Sequence, residues 1–403
     1  MSTMFEKKHK FSVNKQIEIL YDSIRSNIPL SNYLHTHNLS YDDLVYTNYT
    51  EKKYIKSTYY SLDKFKSKNN NIPIVSFFAG AGGLDLGFES AGFSHLALFE
   101  INELFCETLK YNRPNWDINC TDISCTEKIV SLLEEKTGNA EKFRGVFIGG
   151  PPCQPFSIAA NQRFSKGSKN FKRTGFLNEK YGNLLFNYIN LIIRFKPEVF
   201  LIENVIGLLD LDGGKQLSKA FKILENNGYN IEQPLVFKAD SYYVPQQRVR
   251  LIVIGNRLNK KFVPPEPSNQ RTNVSGIFDV PISFVKNHIT REHNAESILR
   301  YMNLNYGQRD KLGRVDRLDP SLPSKTVIAG GISGGGRSHL HPYIPRTLSV
   351  RESARIQTFP DEYEFLGPVA RQFTQVGNAV PPVLAAQIAS AINNSFYKGY
   401  GNK

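Results

Sequence analysis

The chain has 403 residues, of which 40% are hydrophobic, and it carries a formal net charge of +13. This size and apolar content suit one large α/β domain with smaller parts and exclude a peptide-sized adaptor. The positive charge favours a polyanionic partner, although a solvated basic surface has the same composition. Four cysteines occur without a CxxC pair or a histidine at metal-ligand spacing, so the sequence predicts neither a metal site nor a disulfide framework.

The first 70 residues are polar and rich in Lys, Asn, Ser and Tyr. Short helices are predicted over 16–26, 30–37 and 41–48, the last with an N-cap signature that begins at Ser40. Residues 1–71 are therefore expected to form a helical extension, either a helix-turn-helix or a plain adaptor. The charged amino terminus precedes no apolar segment, and no apolar run approaches membrane-spanning length. We expect a cytoplasmic protein with no membrane partner.

Beyond residue 71, apolar segments alternate with amphipathic ones, a pattern typical of an α/β fold with a parallel sheet. Strands are predicted over 74–78, 96–99, 146–148, 199–202 and 251–254. Prolines, glycines and basic residues break this pattern over 257–346, which indicates a second, irregular domain. The chain is then expected to return with a helix that Ser349 and Glu352 cap, and to end with a helix over 383–393.

A cysteine with an unusual setting follows the third predicted strand. Cys153 stands on a turn flanked by prolines and preceded by Gly149 and Gly150. Ligands collect at the carboxyl ends of strands in open α/β sheets, so a thiol there faces a cleft. An isolated free cysteine is more often an inert packing group, but burial of a thiol requires neither the prolines nor the glycines. We therefore predict that Cys153 is a nucleophile.

A glycine-rich turn over 79–87 joins the first strand to a helix, as a nucleotide-like ligand requires. Glu100 closes the next strand, and Asp122 follows another one. At such positions a carboxylate can accept hydrogen bonds from ribose hydroxyls or from an adenine amino group. Each acid taken singly is more simply a solvated strand end. Their placement after the glycine turn favours a cofactor site.

Three further charged residues follow apolar strands. Glu203 leaves a buried run at a strand's carboxyl end, where an acid/base residue is favoured over an idle charge. Arg248 and Arg250 are two residues apart, so on one strand they would project from the same face. Beside a cleft, this pair predicts a clamp for an anion or a carbonyl group.

In this order, the motifs over 73–392 resemble those of the DNA (cytosine-5) methyltransferases of bacterial restriction-modification type. The matching segments are Phe78-Ala79-Gly80-Ala81-Gly82-Gly83, Pro152-Cys153-Gln154, Glu203-Asn204-Val205, 246–250 and Gln375-Val376-Gly377-Asn378-Ala379-Val380-Pro381-Pro382. The resemblance implies a Rossmann-like methyltransferase sheet with helices on both faces. It also implies a catalytic domain over 72–256 and 347–403, with a target-recognition domain over 257–346.

The resemblance implies S-adenosyl-L-methionine as the cofactor and Cys153, Glu203, Arg248 and Arg250 as catalytic residues that act on a flipped-out cytosine. The implied cofactor-binding residues are Phe78, Ala79, Gly80, Gly82, Gly83, Leu84, Glu100, Ile101, Asp122, Ile123, Pro152, Asn378 and Ala379. The family often has an aromatic residue where this chain has Ile101. The implied DNA-binding residues are Gln154, Ser157, Arg163, Asn204, Thr326 and Arg337.

Several expectations remain open at this point. The basic segment 161–180 suits either a loop that closes over phosphates or a solvated disordered loop. Further candidates for contact with bases or phosphates are Arg309, Arg314, Arg317, His339 and His341. We expect a nucleoid-associated monomer that binds double-stranded DNA and is paired with a restriction endonuclease. The alternatives are a transfer RNA cytosine-5 methyltransferase and a DNA-binding autoregulator that acts through the extension.

Overall fold

The computed structural model describes residues 11–48, 60–138, 141–152, 184–278, 282, 284–329 and 339–398. Several predicted site residues lie outside the described residues, and their roles stay predictions: Cys153, Gln154, Ser157, Arg163, the rest of 161–180, and Arg337. In the part that is described, no helix is long and apolar enough to cross a membrane.

The strands, in chain order, are β1 (Pro73–Phe77), β2 (Ser94–Glu100), β3 (Ile118–Cys120), β4 (Val146–Gly149), β5 (Val199–Asn204), β6 (Asn230–Ile231), β7 (Leu235–Lys238), β8 (Gln246–Gln247), β9 (Val249–Asn256), β10 (Arg309–Asp310), β11 (Val315–Arg317), β12 (Ser324–Lys325) and β13 (His339–Leu340). All five predicted strands are confirmed within a few residues.

The α-helices are α1 (Val13–Ser26), α2 (Leu30–Thr36), α3 (Gly83–Ser90), α4 (Glu103–Asn112), α5 (Thr126–Thr137), α6 (Leu184–Phe195), α7 (Gly207–Asp210), α8 (Lys215–Asn226), α9 (Ser275–Phe278), α10 (Ala295–Met302), α11 (Val350–Ile356), α12 (Val369–Asn378) and α13 (Pro382–Ile392). Single turns of tighter helix occur at Tyr41–Asp43, Leu62–Phe65, Leu211–Gly214 and Ala239–Ser241, and a π-helical turn at Asn393–Tyr397 follows α13. The predicted capping box of Ser349 and Glu352 at the start of α11 is confirmed.

The chain divides into two compact units. The first, here called the sheet unit, contains the described residues of Leu62–Tyr242, Val249–Pro267 and Val380–Lys403. The second, here called the insert unit, contains those of Met1–Ser61, Tyr243–Arg248 and Ser268–Ala379. This division differs from the expected domains, because the extension and residues 347–379 both group with the insert.

The sheet unit is built on one large sheet with the strand order β3-β2-β1-β4-β5-β9-β6, in which β7 also pairs with β9. Strands β1 to β5 are parallel, whereas β9 runs antiparallel to β5, β6 and β7. The predicted parallel sheet is therefore confirmed for β1 to β5, and the sheet becomes mixed at β9. Residues 239–248, all of them described, contain no crossover helix between β7 and β9, and parallel neighbours require one.

Helices cover both faces of this sheet, which confirms the α/β fold class. On one face, Phe77 and Phe147 pack with Tyr188 of α6, whose hydroxyl donates to Leu201 O. Side chains alternate between the faces of a strand. Ala97 and Phe99 belong to the same core as Phe77 and Phe147. Leu98 lies between them on β2, so it packs on the opposite face of the sheet, against α4. Burial on both faces explains why these strands read as continuous apolar runs.

The insert unit contains the amino-terminal helices. α1 and α2 confirm two predicted helices, and their apolar residues share a core with α10, which includes Leu20, Leu34 and Ile298. The third predicted helix, over 41–48, is wrong, because the helical part of this segment is limited to one tight turn at Tyr41–Asp43. The same capping box that predicted a helix start, with Ser40 and Asp43, here closes a single turn.

Candidate active site

The turn between β1 and α3 has a strained backbone that borders open space. Phe78, Gly80 and Gly82 have φ values of 56°, 59° and 75°, in the left-handed region that side chains with a Cβ rarely adopt. A Cβ added at Gly80 would meet only Phe78 O, at 4.0 Å. Strain of this kind clusters at ligand sites. The turn therefore leaves its backbone accessible to a ligand.

Glu100 holds this turn from the end of β2. Its Oε2 accepts a hydrogen bond from Gly80 N at 2.8 Å, and its Oε1 accepts one from Asn102 N at 2.8 Å. The side chain is buried, which raises the pKa of the carboxyl group, while the backbone N–H donors oppose that rise. Each carboxylate oxygen has a second lone pair, so Glu100 can also accept from a ligand hydroxyl.

Asp122 and Ile101 stand beside Glu100 at the same edge of the sheet. Thr121 N donates to Glu100 O at 2.9 Å, and Asp122 Oδ1 accepts from Ser124 N at 2.9 Å. Ile101 is 62% exposed, although it is a large apolar residue. An exposed apolar side chain at the edge that also carries Glu100 and Asp122 is suited to a ligand with a flat ring and polar edges. Two neighbouring predicted residues, Leu84 and Ile123, are buried.

Glu203 and Arg250 form a close ion pair within the sheet unit. Arg250 Nε lies 2.6 Å from Glu203 Oε1, and the two side chains are 11% and 13% exposed. A Cβ added at Gly150 would lie 2.9 Å from Glu203 Oε2, so a side chain at that position would displace the carboxylate. Asn204 Nδ2 donates to Pro151 O at 3.4 Å. The amide thus contacts the backbone that leads through Pro152 to residue 153, and the acid occupies the space where a side chain at residue 150 would lie.

The predicted same-face pair of Arg248 and Arg250 is wrong. Arg248 lies between β8 and β9 and belongs to the insert unit, whereas Arg250 belongs to the sheet unit. The Arg248 side chain is buried, and its guanidinium donates to three backbone oxygens: Val327 O at 3.3 Å, Gly377 O at 3.1 Å and Asn378 O at 3.3 Å. A guanidinium with these partners joins two backbone segments of the insert unit. The predicted role, a clamp for an anion or a carbonyl group of a ligand, requires donors that face a cleft.

Two predicted segments of the insert unit meet near Arg248. Gly377 approaches Ala329 so closely that an added Cβ would lie 2.2 Å from Ala329 N. Thr326 Oγ1 donates to Gln247 O at 2.9 Å. Asn378 is exposed and Ala379 is buried at the end of α12. Their predicted contact with the cofactor stays a prediction.

The sequence did not predict the contacts of two buried glutamines in this region. Nor did it predict that a side chain at Gly150 would displace Glu203. Gln246 Oε1 accepts from Val327 N at 2.8 Å, and its Nε2 donates to Gln357 Oε1 at 2.8 Å. Gln357 Nε2 in turn donates to Val376 O at 2.7 Å. Gln246 falls inside the recognised arginine motif, but nothing in the sequence distinguishes Gln357.

Three of the predicted DNA contacts are core residues of the insert unit. Arg317, His339 and His341 are buried, so the prediction that they reach bases or phosphates is wrong in this structure. Burial lowers the pKa of His339 to about 4 and that of His341 to about 3, which keeps both rings neutral. Arg309 and Arg314, by contrast, are exposed around the turn between β10 and β11.

Comparison with known proteins identifies the family. Residues 72–394 match the model of the C-5 cytosine-specific DNA methylases. The chain belongs to this family. It is a DNA (cytosine-5) methyltransferase of bacterial restriction-modification type.

Relatives of known function cover most of this methyltransferase. It is 34% identical over 387 residues to the type II methyltransferase M.PspPI of Psychrobacter sp. (strain TA137), covering 86% of this chain and 88% of that protein. It is 32% identical over 361 residues to M.Eco47II of Escherichia coli, covering 82% and 81%.

Solved structures support the fold of this methyltransferase. A DNA modification methyltransferase encoded within an Escherichia coli prophage superposes with a TM-score of 0.65 at 24% identity, covering 81% of this chain and 99% of that one. The Entamoeba histolytica methyltransferase EhMeth superposes with a TM-score of 0.59 at 17% identity, covering 80% and 98%. The Rossmann-like methyltransferase fold is thereby confirmed.

Proposed function

We propose that the enzyme methylates carbon 5 of a cytosine flipped out of a short duplex DNA site, through a covalent adduct with Cys153 and with S-adenosyl-L-methionine as the methyl donor. One observation carries the proposal. Glu203, paired with Arg250, lies where a Cβ added at Gly150 would meet its Oε2 at 2.9 Å, and Gly150 is three residues before Cys153 in the chain.

The residues around the glycine turn fit the proposed cofactor. Backbone at Gly80 borders open space, Glu100 can accept from ribose hydroxyls, and exposed Ile101 offers an apolar surface to a ring. Asp122 can accept a further hydrogen bond, such as one from an adenine amino group. When bound, S-adenosylmethionine supplies the electrophilic methyl group that carbon 5 takes.

The residues of the chain make carbon 5 reactive. This carbon is a poor nucleophile, so the Cys153 thiolate forms a bond to carbon 6 of the ring, and the electrons of the 5,6 double bond become available at carbon 5. Glu203 shares a proton with ring N3 as the adduct forms. After methylation, a base removes the carbon 5 proton, the double bond returns and the Cys153 thiolate leaves.

The two arginines have different roles in this proposal. Arg250 holds the Glu203 carboxylate in place through the 2.6 Å contact, and it stabilises negative charge beside the base. Arg248 is a positioning residue, because its guanidinium is engaged by three backbone oxygens of the insert unit.

The proposed substrate is duplex DNA, and flipping of the target nucleotide costs a few kcal/mol. The candidates for contact with DNA remain Gln154, Ser157, Arg163, Asn204, Thr326 and Arg337. We further propose that the enzyme is a monomer and protects DNA from a partner restriction endonuclease. The type II methyltransferase relatives support that pairing.

The decisive experiment treats a mixed-sequence plasmid with the purified enzyme and S-adenosylmethionine and then sequences it after bisulfite conversion. Cytosines protected only within one short motif would support the reaction and define the site. If no cytosine is protected while the protein binds S-adenosylmethionine, the proposal of duplex DNA as substrate fails. The same assay on transfer RNA then tests the alternative.

Two variants test the assigned chemistry. Cys153→Ser is expected to lose methyl transfer and keep cofactor binding, because a hydroxyl is far less ionised than a thiol at neutral pH.

Glu203→Gln keeps the side-chain volume but removes the proton carrier, so kcat should fall about 10²- to 10⁴-fold. Turnover at the wild-type rate in either variant would exclude the residue from its assigned role.

A further inference from the structure

The amino-terminal extension contacts the carboxyl-terminal part of the insert through an ion network around the buried Arg346, with the 46% exposed side chain of Asp42 at its edge. Arg346 donates through both terminal nitrogens to the two carboxylate oxygens of Glu352, each at 2.8 Å. Its Nε donates to Asp42 Oδ1 at 2.5 Å. The Arg346 side chain is 2% exposed, so its charge depends on both acids for compensation. One of the two acids comes from the extension.

Asp42 is held in its charged form by these partners. Partial desolvation beside Arg346 would by itself raise the pKa of its carboxyl group, but the hydrogen bond with His288 and the charge of Arg346 hold that pKa well below the ordinary value. The His288 contact joins Nε2 and Asp42 Oδ2 at 3.4 Å. Asp42 therefore links two separate segments of the insert unit.

Tyr46 makes a second connection, to two neighbouring strands. Its side chain is fully buried, and its hydroxyl donates to His341 O at 2.8 Å, directly after β13. Its ring centroid lies 3.4 Å from the guanidinium carbon of Arg317, the last residue of β11. Because β11 and β13 pair with each other, one side chain of the extension contacts both.

The residues that follow Tyr46 continue this contact. Thr47 N donates to Met302 O at 2.9 Å, at the end of α10. Asn48 Oδ1 accepts from Arg317 at 2.9 Å. Residues 42–48 thus contact α10, β11 and β13. The apolar faces of α1 and α2 are buried in the core of the insert unit. An independent helix-turn-helix domain would instead bury these faces in a core of its own.

We propose that Asp42 and Tyr46 are positioning residues for DNA recognition. Tyr46 contacts the paired strands β11 and β13 directly, and Asp42 contacts Arg346, whose carbonyl oxygen accepts from His341 N at 2.9 Å just after β13. The outer strand β10 and the turn that follows it carry the exposed Arg309 and Arg314. The extension is then a structural part of the recognition apparatus rather than a separate regulator. This inference rests on the proposed function, because it requires that the insert unit binds duplex DNA.

The test compares two conservative variants of the full-length enzyme with a control. Asp42→Asn removes one charge, and Tyr46→Phe removes one hydroxyl while keeping the ring against Arg317. Glu18→Gln on α1 is the control, since Glu18 forms an exposed pair with Lys15. For each protein we would measure kcat, KM for DNA, the affinity for S-adenosylmethionine, and the ratio of methylation at the recognised site to that at a site altered by one base pair.

Asp42→Asn and Tyr46→Phe should each raise KM for DNA about fivefold, the effect of one lost hydrogen bond, and lower the site ratio. Their kcat and cofactor affinity should stay at the wild-type level, as should every value for Glu18→Gln. Wild-type KM and site ratio in both variants would overturn the inference, and so would a parallel loss of kcat and cofactor affinity. A wild-type enzyme that methylates no DNA would instead refute the proposed function.

Discussion

At the scale of single residues, the position of the Glu203 carboxylate depends on the lack of a side chain at residue 150. One carboxylate oxygen pairs with Arg250, and the other would lie 2.9 Å from a Cβ added at Gly150, which is closer than real Cβ contacts. The proposed proton transfer needs this acid within hydrogen-bond reach of the base. A single glycine in the motif before Cys153 therefore has a steric role distinct from that of a flexible turn.

Gly150→Ala should displace Glu203 and lower kcat at least tenfold, while cofactor affinity stays unchanged, because misplacement of a reacting group by about 1 Å can cost 10²-fold. Methyl transfer under single-turnover conditions measures the effect. Gly138→Ala is the control: its φ of 63° makes alanine unfavourable, but nothing lies within 4 Å of the added Cβ. It should lower the free energy of unfolding by up to about 1 kcal/mol and leave kcat unchanged. Equal kcat values for both variants would contradict the steric role.

At the scale of elements, α3 and α13 pack with almost no space between their backbones. A Cβ added at Gly87 would lie 2.3 Å from Ala385 Cβ and 2.5 Å from Ala386 N. Since one of these atoms belongs to the backbone, a rotamer change cannot relieve the clash. Small residues on both helices therefore decide how α3, and the glycine turn before it, lies on the sheet.

Gly87→Ala should lower the free energy of unfolding of the sheet unit by about 1–3 kcal/mol, the usual cost of overpacking. It should also weaken binding of S-adenosylmethionine, because the turn before α3 would shift. Urea unfolding and calorimetric titration measure the two effects. Glu89→Ala on the same helix removes a partly exposed pair with Arg113 and should cost less than about 1 kcal/mol. Wild-type stability in Gly87→Ala would show that the helices separate easily.

β13 makes the stability of the insert unit dependent on pH. Burial lowers the pKa of His339 from 6.5 to about 4, and the charge of Asp316 offsets this only in part. The ring donates from Nε2 to Lys325 O at 3.0 Å. The unfolded chain takes up a proton at higher pH than the folded one. The contribution of neutral His339 to the free energy of unfolding of the insert unit is therefore fully present above about pH 6.5 and is lost as the pH falls towards 4.

Between pH 6.5 and 4, His339 should therefore lower the free energy of unfolding by up to about 1.4 kcal/mol per pH unit. Urea unfolding at several pH values would show the slope, and His339→Gln should reduce it by about half while keeping a donor for Lys325 O, because the buried His341, whose pKa is lowered to about 3, contributes the remainder. His35→Gln changes an exposed histidine of α2 and is the control. The same slope in wild type and His339→Gln would contradict this account.

At the scale of the whole molecule, a net charge of +13 accompanies a family that acts on DNA. If lysines and arginines contact phosphates, each contact releases counterions, so affinity falls with salt. We expect the logarithm of the DNA association constant to fall linearly with the logarithm of salt concentration, with a slope steeper than about −3. Fluorescence anisotropy of labelled duplex measures it, and binding of S-adenosylmethionine in the same salt series is the control. A flat salt dependence would assign the charge to solubility alone.

The sequence alone was sufficient for the fold class, the strands β1, β2, β4, β5 and β9, and the family. Each of these depends on local patterns: apolar runs for buried strands, glycines where φ is positive, and motifs in a set order. Cofactor candidates such as Gly80 and Glu100 also follow from such patterns, since Gly80 lies in the glycine-rich turn after one predicted strand and Glu100 directly follows another.

Only the tertiary structure decided which polar residues form contacts within the protein and are therefore not available to a ligand. Arg248 and Arg317 look in sequence like arginines free to bind a ligand, yet backbone oxygens and aromatic rings from distant segments enclose them. The prediction of a third amino-terminal helix was wrong for a related reason, because Asp42 and Tyr46 make contacts with residues about 300 positions away. Local pattern reports what a side chain prefers, whereas its partners depend on chain segments that only folding brings together.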